Sequence, residues 1–333
     1  MKLDPIYNEV EKRLERIDFS KLRKGFHRFC FALYNEADCV FDGKHIEKPK
    51  EFMANTAVEY NGELVAIWNL MEEPSDLDAM TASMVHEMFH AFQRESGESR
   101  WPDENAALMK YEYSAANISM KLEEARLIRA GELSALAGVM KKRMLMFPYE
   151  FDYEARTMEI EGSACYIELS ALGQLDPEKA DKRWEKLYEE ITDLKRYLPV
   201  RIISYSVGAA LLRLLGGADG FGFDEKPFAV KFAEKAEPAG YEIPADPNIA
   251  AAIDEYNRET EEAVERALEK NEVLLEGKYP LVSLNIYNAR RRGRFAVSTF
   301  FIAYMDGGET RIINGDVVAE LDGENNVLTV YRL

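Results

Sequence analysis

Two of the four histidines in this chain fall within five residues, in the run HEMFH at positions 86–90. The surrounding residues predict a helix over about 77–94. Positions i and i+4 of a helix lie one turn apart on the same face, so His86 and His90 can reach one metal ion. Two imidazoles suit Zn²⁺, and Glu87 can project toward a metal-bound water without being a ligand. The spacing therefore predicts a site for one zinc ion, with Glu87 as the general base.

A catalytic zinc also needs a third protein ligand and an open fourth position. No HxxGxxH pattern continues after His90, which excludes the metzincin arrangement. The remaining histidines, His27 and His45, precede the motif and are expected to be surface or core residues. The third ligand is therefore expected to be a carboxylate.

The best context for this carboxylate is Glu161, in the sequence Glu-Gly-Ser-Ala. It lies on a helix predicted over about 153–172. Gly162 and Ala164 would let that helix pack closely against the HExxH helix and bring Glu161 to the metal. Residue types alone leave open whether Glu161 is a ligand or one more solvated acid.

The motif HEMFH followed by Glu-Gly-x-Ala resembles the gluzincin branch of zinc metallopeptidases, the thermolysin and aminopeptidase-like group. The resemblance implies a zincin-like catalytic domain. It also implies that His86, His90 and Glu161 bind zinc and that Glu87 is the general base.

A further segment, Tyr-Ser-Val-Gly-Ala-Ala-Leu at 205–211, is similar to a Tyr-x-x-Gly-x-Ala-Leu helix start downstream of the zinc glutamate in the aminopeptidase-like members. The resemblance implies that the hydroxyl of Tyr205 stabilises the oxyanion, and a neutral donor aimed at developing charge suits that role. A structural tyrosine at a helix start is the competing interpretation.

Two departures from the family pattern matter. The long gap between His90 and Glu161 requires a helical insertion at about 101–150, and it leaves Glu154 and Glu159 as alternative ligands. No Gly-x-Met-Glu-Asn segment precedes the motif, so aminopeptidase specificity is not supported and the substrate-binding residues stay unknown.

Composition excludes several classes. The chain of 333 residues is 47% apolar and carries a net charge of −18, which opposes binding to nucleic acid or to an anionic membrane. The basic run at 290–294 is expected to be a solvated turn. Three cysteines, a charged N-terminus and no long apolar run lead us to expect a cytoplasmic protein without a membrane span.

The predicted fold class is α+β. A mainly helical catalytic domain with a small N-terminal β-hairpin or sheet is expected at 1–275, and an antiparallel β module of four or five strands at 276–333. The hairpin joins 52–60 to 63–70 through Asn61-Gly62. We also expect helix over 4–34, in two pieces broken near Asp18–Ser20 with Ser20 as a cap, and an amphipathic, very acidic helix over 248–272. Further expectations are breaks at Gly131 and Gly138, a helix end at Gly173, and a glycine-rich loop at 216–223.

The predicted function is zinc-dependent hydrolysis of peptide bonds in a peptide or protein substrate. A zinc amidase acting on a non-peptide substrate would use the same residues. The sequence is also compatible with a zinc-binding interaction protein without catalysis, or with a binding module built on the C-terminal sheet. The oligomeric state is not predicted.

Overall fold

The structure is a computed structural model that describes residues 2–220, 222–223 and 225–333. The predicted mixture of helices and sheets, with an antiparallel sheet at the C-terminus, is confirmed. The helices are α1 (Leu3–Leu14), α2 (Phe19–Leu22), α3 (Leu77–Glu95), α4 (Glu104–Lys110), α5 (Ala115–Ala130), α6 (Leu133–Met146), α7 (Pro148–Thr157), α8 (Ser163–Leu175), α9 (Pro177–Glu190), α10 (Val200–Leu214), α11 (Phe228–Glu234) and α12 (Pro247–Lys270).

A π-helical turn, Met158–Gly162, joins α7 to α8, and short 3₁₀ turns occupy Leu194–Tyr197 and Ala218–Gly220. The strands are β1 (Cys30–Tyr34), β2 (Asp38–Phe41), β3 (Lys44–Glu47), β4 (Thr56–Tyr60), β5 (Glu63–Asn69), β6 (Val273–Leu284), β7 (Arg290–Arg292), β8 (Phe295–Ser298), β9 (Phe301–Asp306), β10 (Glu309–Asn314), β11 (Val317–Leu321) and β12 (Asn326–Arg332). No helix among the described residues is both long and apolar enough to cross a membrane.

The chain divides into two compact units, each assembled from separate stretches of sequence. Unit 1 contains Met1–Trp101, Ala155–Glu190 and Ser204–Phe232, and unit 2 contains Pro102–Glu154, Ile191–Ile203 and Ala233–Leu333. These borders differ from the predicted boundary near residue 275, because the C-terminal strands belong to the same unit as several helices. Most of the predicted insertion lies in unit 2.

The sheet of unit 1 has the strand order β3-β2-β1-β5-β4, with β1 and β5 parallel and the remaining pairs antiparallel. Its residues alternate between two apolar layers, as the period of two along a strand requires. Phe31 and Leu33 pack in the layer that contains α1 and α3, whereas Ala32 and Tyr34 pack in the opposite layer. The sheet is thus covered on both faces.

The predicted hairpin is confirmed: β4 pairs with β5, with Tyr60 opposite Glu63. Asn61 and Gly62 both have positive φ, 54° and 81°. This is the backbone of a type I′ turn, which favours the Asn-Gly pair.

Unit 2 contains a sheet in the order β10-β9-β6-β12-β11-β8-β7, with antiparallel neighbours. Helix α12 packs Ala263, Val264 and Ala267 against Val297 and Val318. Its acidic residues lie on the opposite, exposed face, as the amphipathic pattern predicts.

Four charged side chains are buried together in unit 2. Arg143 donates to Glu124 (2.7 Å) and to Glu154 (2.9 Å), and Lys121 lies 2.9 Å from Glu154. Tyr111 also donates to Glu154 at 2.5 Å. Burial alone would raise the pKa of Glu154, but the two cations hold it below its ordinary value. Because opposite charges compensate each other here, removing one would leave another buried and unpaired.

Several local predictions are wrong. Residues 30–34 form β1 instead of helix, because alternate residues of this segment pack into two apolar layers on opposite faces of the sheet. Asp18, not Ser20, precedes α2, and Gly138 lies inside α6. Helix α8 continues through Gly173 to Leu175.

The C-terminal region forms seven strands, more than the four or five predicted, and Arg290–Arg292 is one of them instead of a turn. The glycine-rich loop predicted at 216–223 includes Phe221, which lies outside the described residues. Gly131 ends α5 with a positive φ of 75°, as predicted.

A close helix contact in unit 1 joins the π-helical turn to α10. A Cβ placed on Gly208 would lie 2.9 Å from the Cα of Gly162 and 2.9 Å from the Cβ of Met158. Real Cβ atoms do not approach so closely, so both helices depend on glycine at this point.

We therefore expect Gly208→Ala to destabilise the protein by about 1–3 kcal/mol, the usual cost of overpacking. The matched control is Gly173→Ala in α8, where an added Cβ meets only the Ala180 side chain at 3.7 Å. Alanine gains about 1 kcal/mol over glycine in a helix interior, so this control should be neutral or stabilised. Midpoints of urea unfolding measure both changes, and equal shifts would contradict the close-contact argument.

Candidate metal centre

Helix α3 presents the HExxH residues on a fixed face. Its N-terminus is capped by Asp76, whose side chain accepts hydrogen bonds from the main-chain N–H groups of Asp78 and Ala79. The opposite face is anchored in the core by fully buried residues, namely Met84, Val85, Met88 and Phe89. This apolar stripe fixes the rotation of α3 about its own axis. His86, Glu87 and His90 therefore lie on a different face of the helix from the stripe.

The two imidazoles and Glu161 converge. Oε2 of Glu161 lies 3.7 Å from Nε2 of His86 and 3.5 Å from Nε2 of His90. Ligand atoms about 2.1 Å from a tetrahedral Zn²⁺ are about 3.4 Å apart, so these separations fit a shared ion. Within the part of the chain that the structure describes, this is the one group of histidine, cysteine or acidic side chains whose ligand atoms cluster this way.

The other ring nitrogen of each imidazole, Nδ1, also has a partner. Nδ1 of His86 lies 3.1 Å from Oε2 of Glu168, and Nδ1 of His90 lies 2.8 Å from Oε1 of Gln93. An acceptor at Nδ1 places a proton there, and in the neutral ring this leaves the lone pair of Nε2 available for a metal ion. Histidines that bind metals in proteins commonly have such partners, which orient the ring and raise its basicity.

The carboxylate reaches this point through the π-helical turn Met158–Gly162. A π turn breaks the i to i−4 hydrogen-bond ladder and leaves carbonyl oxygens that need other donors. Ser163 donates its hydroxyl to the carbonyl of Glu159, and Gln93 donates to the carbonyl of Ile160 at 3.0 Å. Gln93 thus connects the π turn to His90.

The glycine beside Glu161 serves a different contact from the predicted one. A Cβ on Gly162 would lie 2.8 Å from the Cα of Gly208 and 3.3 Å from the carbonyl oxygen of Tyr205, both on α10. Gly162 therefore permits the approach of α10, not of α3. Ala164 does pack in the core layer that contains α3, as expected.

The electrostatics of the cluster favour a cation. Burial by itself would lower the pKa of His86, but Glu161 and Glu168 outweigh it and hold that pKa well above its ordinary value. Burial raises the pKa of Glu87, and the neighbouring imidazoles oppose part of this change. Three carboxylates therefore surround two imidazoles in a poorly hydrated site.

A buried ion-pair network supports the π turn from one side. Arg100 is fully buried, forms a 2.5 Å pair with Glu98 and lies 3.0 Å from Glu159. Glu159 also accepts a 2.7 Å hydrogen bond from the main-chain N–H of Phe228. Burial raises the pKa of Glu159 to about 7, although Arg100 acts in the opposite direction.

The three candidates for the third ligand are thus clearly separated. Glu161 meets the imidazoles, Glu159 contacts Arg100, and Glu154 belongs to the buried ion-pair network of unit 2. The remaining histidines, His27 and His45, are exposed and lie away from this cluster. His27 pairs with Glu95, and His45 pairs with Asp4.

Tyr205 is half-buried on α10, and its main chain lies beside Gly162, next to Glu161 in sequence. This contact places the main-chain carbonyl of Tyr205 beside the π turn, whereas its hydroxyl oxygen is buried.

The donor set fits a divalent transition metal, because two imidazole nitrogens and one carboxylate oxygen are the ligands that Zn²⁺ accepts in open, catalytic sites. The ligand side chains keep 10–17% of their surface exposed, which allows access from solvent.

Searches against known protein families, curated proteins and solved structures find no match for this chain.

Sequence reasoning missed several residues of the site. Glu168 lies seven positions after Glu161, and Gln93 lies three positions after His90, so helical spacing alone places each on the ligand face. Arg100 and Trp101 follow α3 in an irregular segment, where no periodicity could have indicated them.

We expect Glu168→Gln to weaken zinc binding about 10- to 100-fold, the usual cost of changing the partner behind a metal-binding imidazole, because the negative charge that raises the basicity of His86 is lost. The measurement is competition with a chelator of known affinity. Glu178→Gln on α9, whose side chain is exposed, is the matched control and should bind zinc normally. Equal affinity in both variants would contradict the assigned role of Glu168.

Trp101 offers an independent reporter of the site. Its ring lies 6.3 Å from the ring of His90, and its indole N–H donates to the carbonyl of Glu98 at 2.9 Å. We expect Co²⁺ or Ni²⁺ to quench its fluorescence. Trp101→Phe should remove most of the quenching and Trp184→Phe should keep it, and quenching that survives Trp101→Phe unchanged would place the metal elsewhere.

Proposed function

We propose that the protein is a zinc-dependent metallopeptidase of zincin-like fold, in which His86, His90 and Glu161 hold one zinc ion. The observation that carries this proposal is the convergence of Glu161 on the two HExxH imidazoles, at separations that suit a shared tetrahedral ion. A carboxylate far from the motif in sequence meets both rings at one point, which is the arrangement that a shared cation requires.

A bound zinc ion supplies a water of pKa near 7 and polarises the scissile carbonyl. Glu87 then accepts the proton of the attacking water and passes it to the leaving amine. Its raised pKa supports this role, because a general base works best when its pKa approaches the working pH.

Tyr205 is assigned to the developing oxyanion. A phenol is neutral at pH 7 and can donate a hydrogen bond where negative charge accumulates, which is worth several kcal/mol in related chemistry. Glu168 and Gln93 act through the ligands, because they orient His86 and His90.

The substrate class in this proposal is a peptide or protein. The acidic balance of the chain supports neutral or basic substrates over nucleic acid, and three cysteines without a disulfide support a reducing, cytoplasmic setting.

The decisive comparison is Glu87→Gln against His86→Ala in a peptide-library digest with metal analysis. Glu87→Gln should retain stoichiometric zinc and lose hydrolysis by at least about 100-fold, since the general base is gone. His86→Ala should lose the metal and the activity together. A Glu87→Gln variant that hydrolyses peptides at the wild-type rate, or wild-type protein without stoichiometric zinc, would overturn the proposal. Hydrolysis of small amides without peptide cleavage would instead identify the zinc amidase.

A further inference from the structure

Unit 2 contains a cavity of about 550 Å³ that the proposed peptidase chemistry does not use. Cavities of about 300–1,000 Å³ are the usual size for small-molecule sites. All the residues that line it belong to unit 2 and come from the segment around α4, the end of α7, the start of α10, α12 and the β6–β7 region.

One wall of the cavity is a continuous row of tyrosines. The ring of Tyr111 lies 5.8 Å from Tyr153 and 5.0 Å from Tyr113, whose ring lies 5.4 Å from Tyr256. Burial raises the pKa of both Tyr111 and Tyr113 well above the ordinary value, so these phenols are neutral at pH 7. Such a wall offers flat, rigid aromatic surface without negative charge.

The charged residues of the lining are mainly basic. Four arginines line the cavity against two glutamates, in a chain whose net charge is −18. Arg201 pairs with Glu104. Arg290 lies over the ring of Tyr256 at 4.6 Å and pairs with Glu259, which is half exposed.

Arg291 differs from the neighbouring arginines. Its guanidinium donates to the main-chain carbonyls of Met109 and Gly293, and among the described residues no carboxylate lies within 4 Å of it. Arg291 therefore has no ion-pair partner among the described residues, while two carbonyls hold the group in place. A fixed arginine of this kind is suited to a carboxylate or phosphate.

We propose that this cavity binds a small organic anion with an aromatic ring, with the anionic group at Arg291 and the ring against the tyrosine row. The anionic group is a phosphate or a carboxylate, so the ligand is a nucleotide or an aromatic acid. Exposed ion pairs such as Arg290–Glu259 are worth little and can exchange their partner for such a ligand.

The test is isothermal titration of the full-length protein with two pairs of probes, in each of which one member carries the anionic group and the other does not. AMP is compared with adenosine, and N-acetylphenylalanine with its amide. The charged member of at least one pair should bind with Kd below about 1 mM, and its neutral partner should bind at least about ten-fold more weakly, since a charge-assisted pair is lost. Binding of AMP identifies a nucleotide site, and binding of N-acetylphenylalanine identifies a carboxylate site.

Variants connect the binding to the cavity. Arg291→Gln should weaken binding of the charged probe at least about ten-fold. Arg291→Lys keeps the charge but not the forked geometry, so its affinity should lie between those of the wild type and Arg291→Gln. Arg311→Gln removes one exposed arginine from β10, outside the lining, and should change nothing.

Several outcomes would overturn the proposal: no binding by either charged probe, equal binding of charged and neutral partners, or unchanged binding in both Arg291 variants. The titration needs no metal and no hydrolysis, so its failure is separate from a failure of the proposed peptidase activity.

Discussion

The approach of the π-helical turn to α10 at Gly162 and Gly208 is the contact on which the site depends. Neither position has room for a Cβ, so the distance between the two segments is set by main chain alone. The π turn at this contact leaves carbonyl oxygens without helical donors, and Ser163 and Gln93 supply them. Because Gln93 also contacts Nδ1 of His90, one side chain links a backbone irregularity to an imidazole of the candidate site. Irregular helical turns of this type recur at functional sites, where they redirect a side chain that a regular helix would aim elsewhere.

Charge explains why neighbouring glutamates on the same helix have different roles. Glu159 lies beside a buried arginine, which compensates its charge within the protein. Glu161, two residues later, faces two imidazoles, and together with Glu168 it holds the pKa of His86 well above its ordinary value. Glu87 is a third carboxylate near these rings. A divalent cation at both Nε2 atoms would offset these carboxylates and replace a proton as the partner of Glu161. Glu159 has a fixed cation in Arg100 instead.

The sequence predicted the parts of the site that depend on local spacing. HExxH on a capped helix, the Asn-Gly hairpin and the acidic α12 all follow from periodicity and turn chemistry within a few residues. It did not predict β1, because a strand buried on both faces loses the apolar–polar alternation that marks a strand. It also attributed the Gly162 contact to α3, since small residues indicate that something packs closely but not which helix does so. Partners such as Arg100 are contributed by an irregular segment, and only the fold could reveal them.

Net charge is a property of the whole chain and does not predict the charge of a particular site. The value of −18 describes the chain as a whole, yet the arginines of β7 and Arg201 line a cavity whose charged residues are mainly basic. The sequence interpretation of the basic run as a solvated turn weighed it against the net charge of the whole chain. Net charge does not determine the local charge, because charges separated by more than about 8–10 Å of salt solution barely interact. The partner that a surface selects is determined by the charges within that range, so an acidic protein can hold a cation at one site and an anion at another.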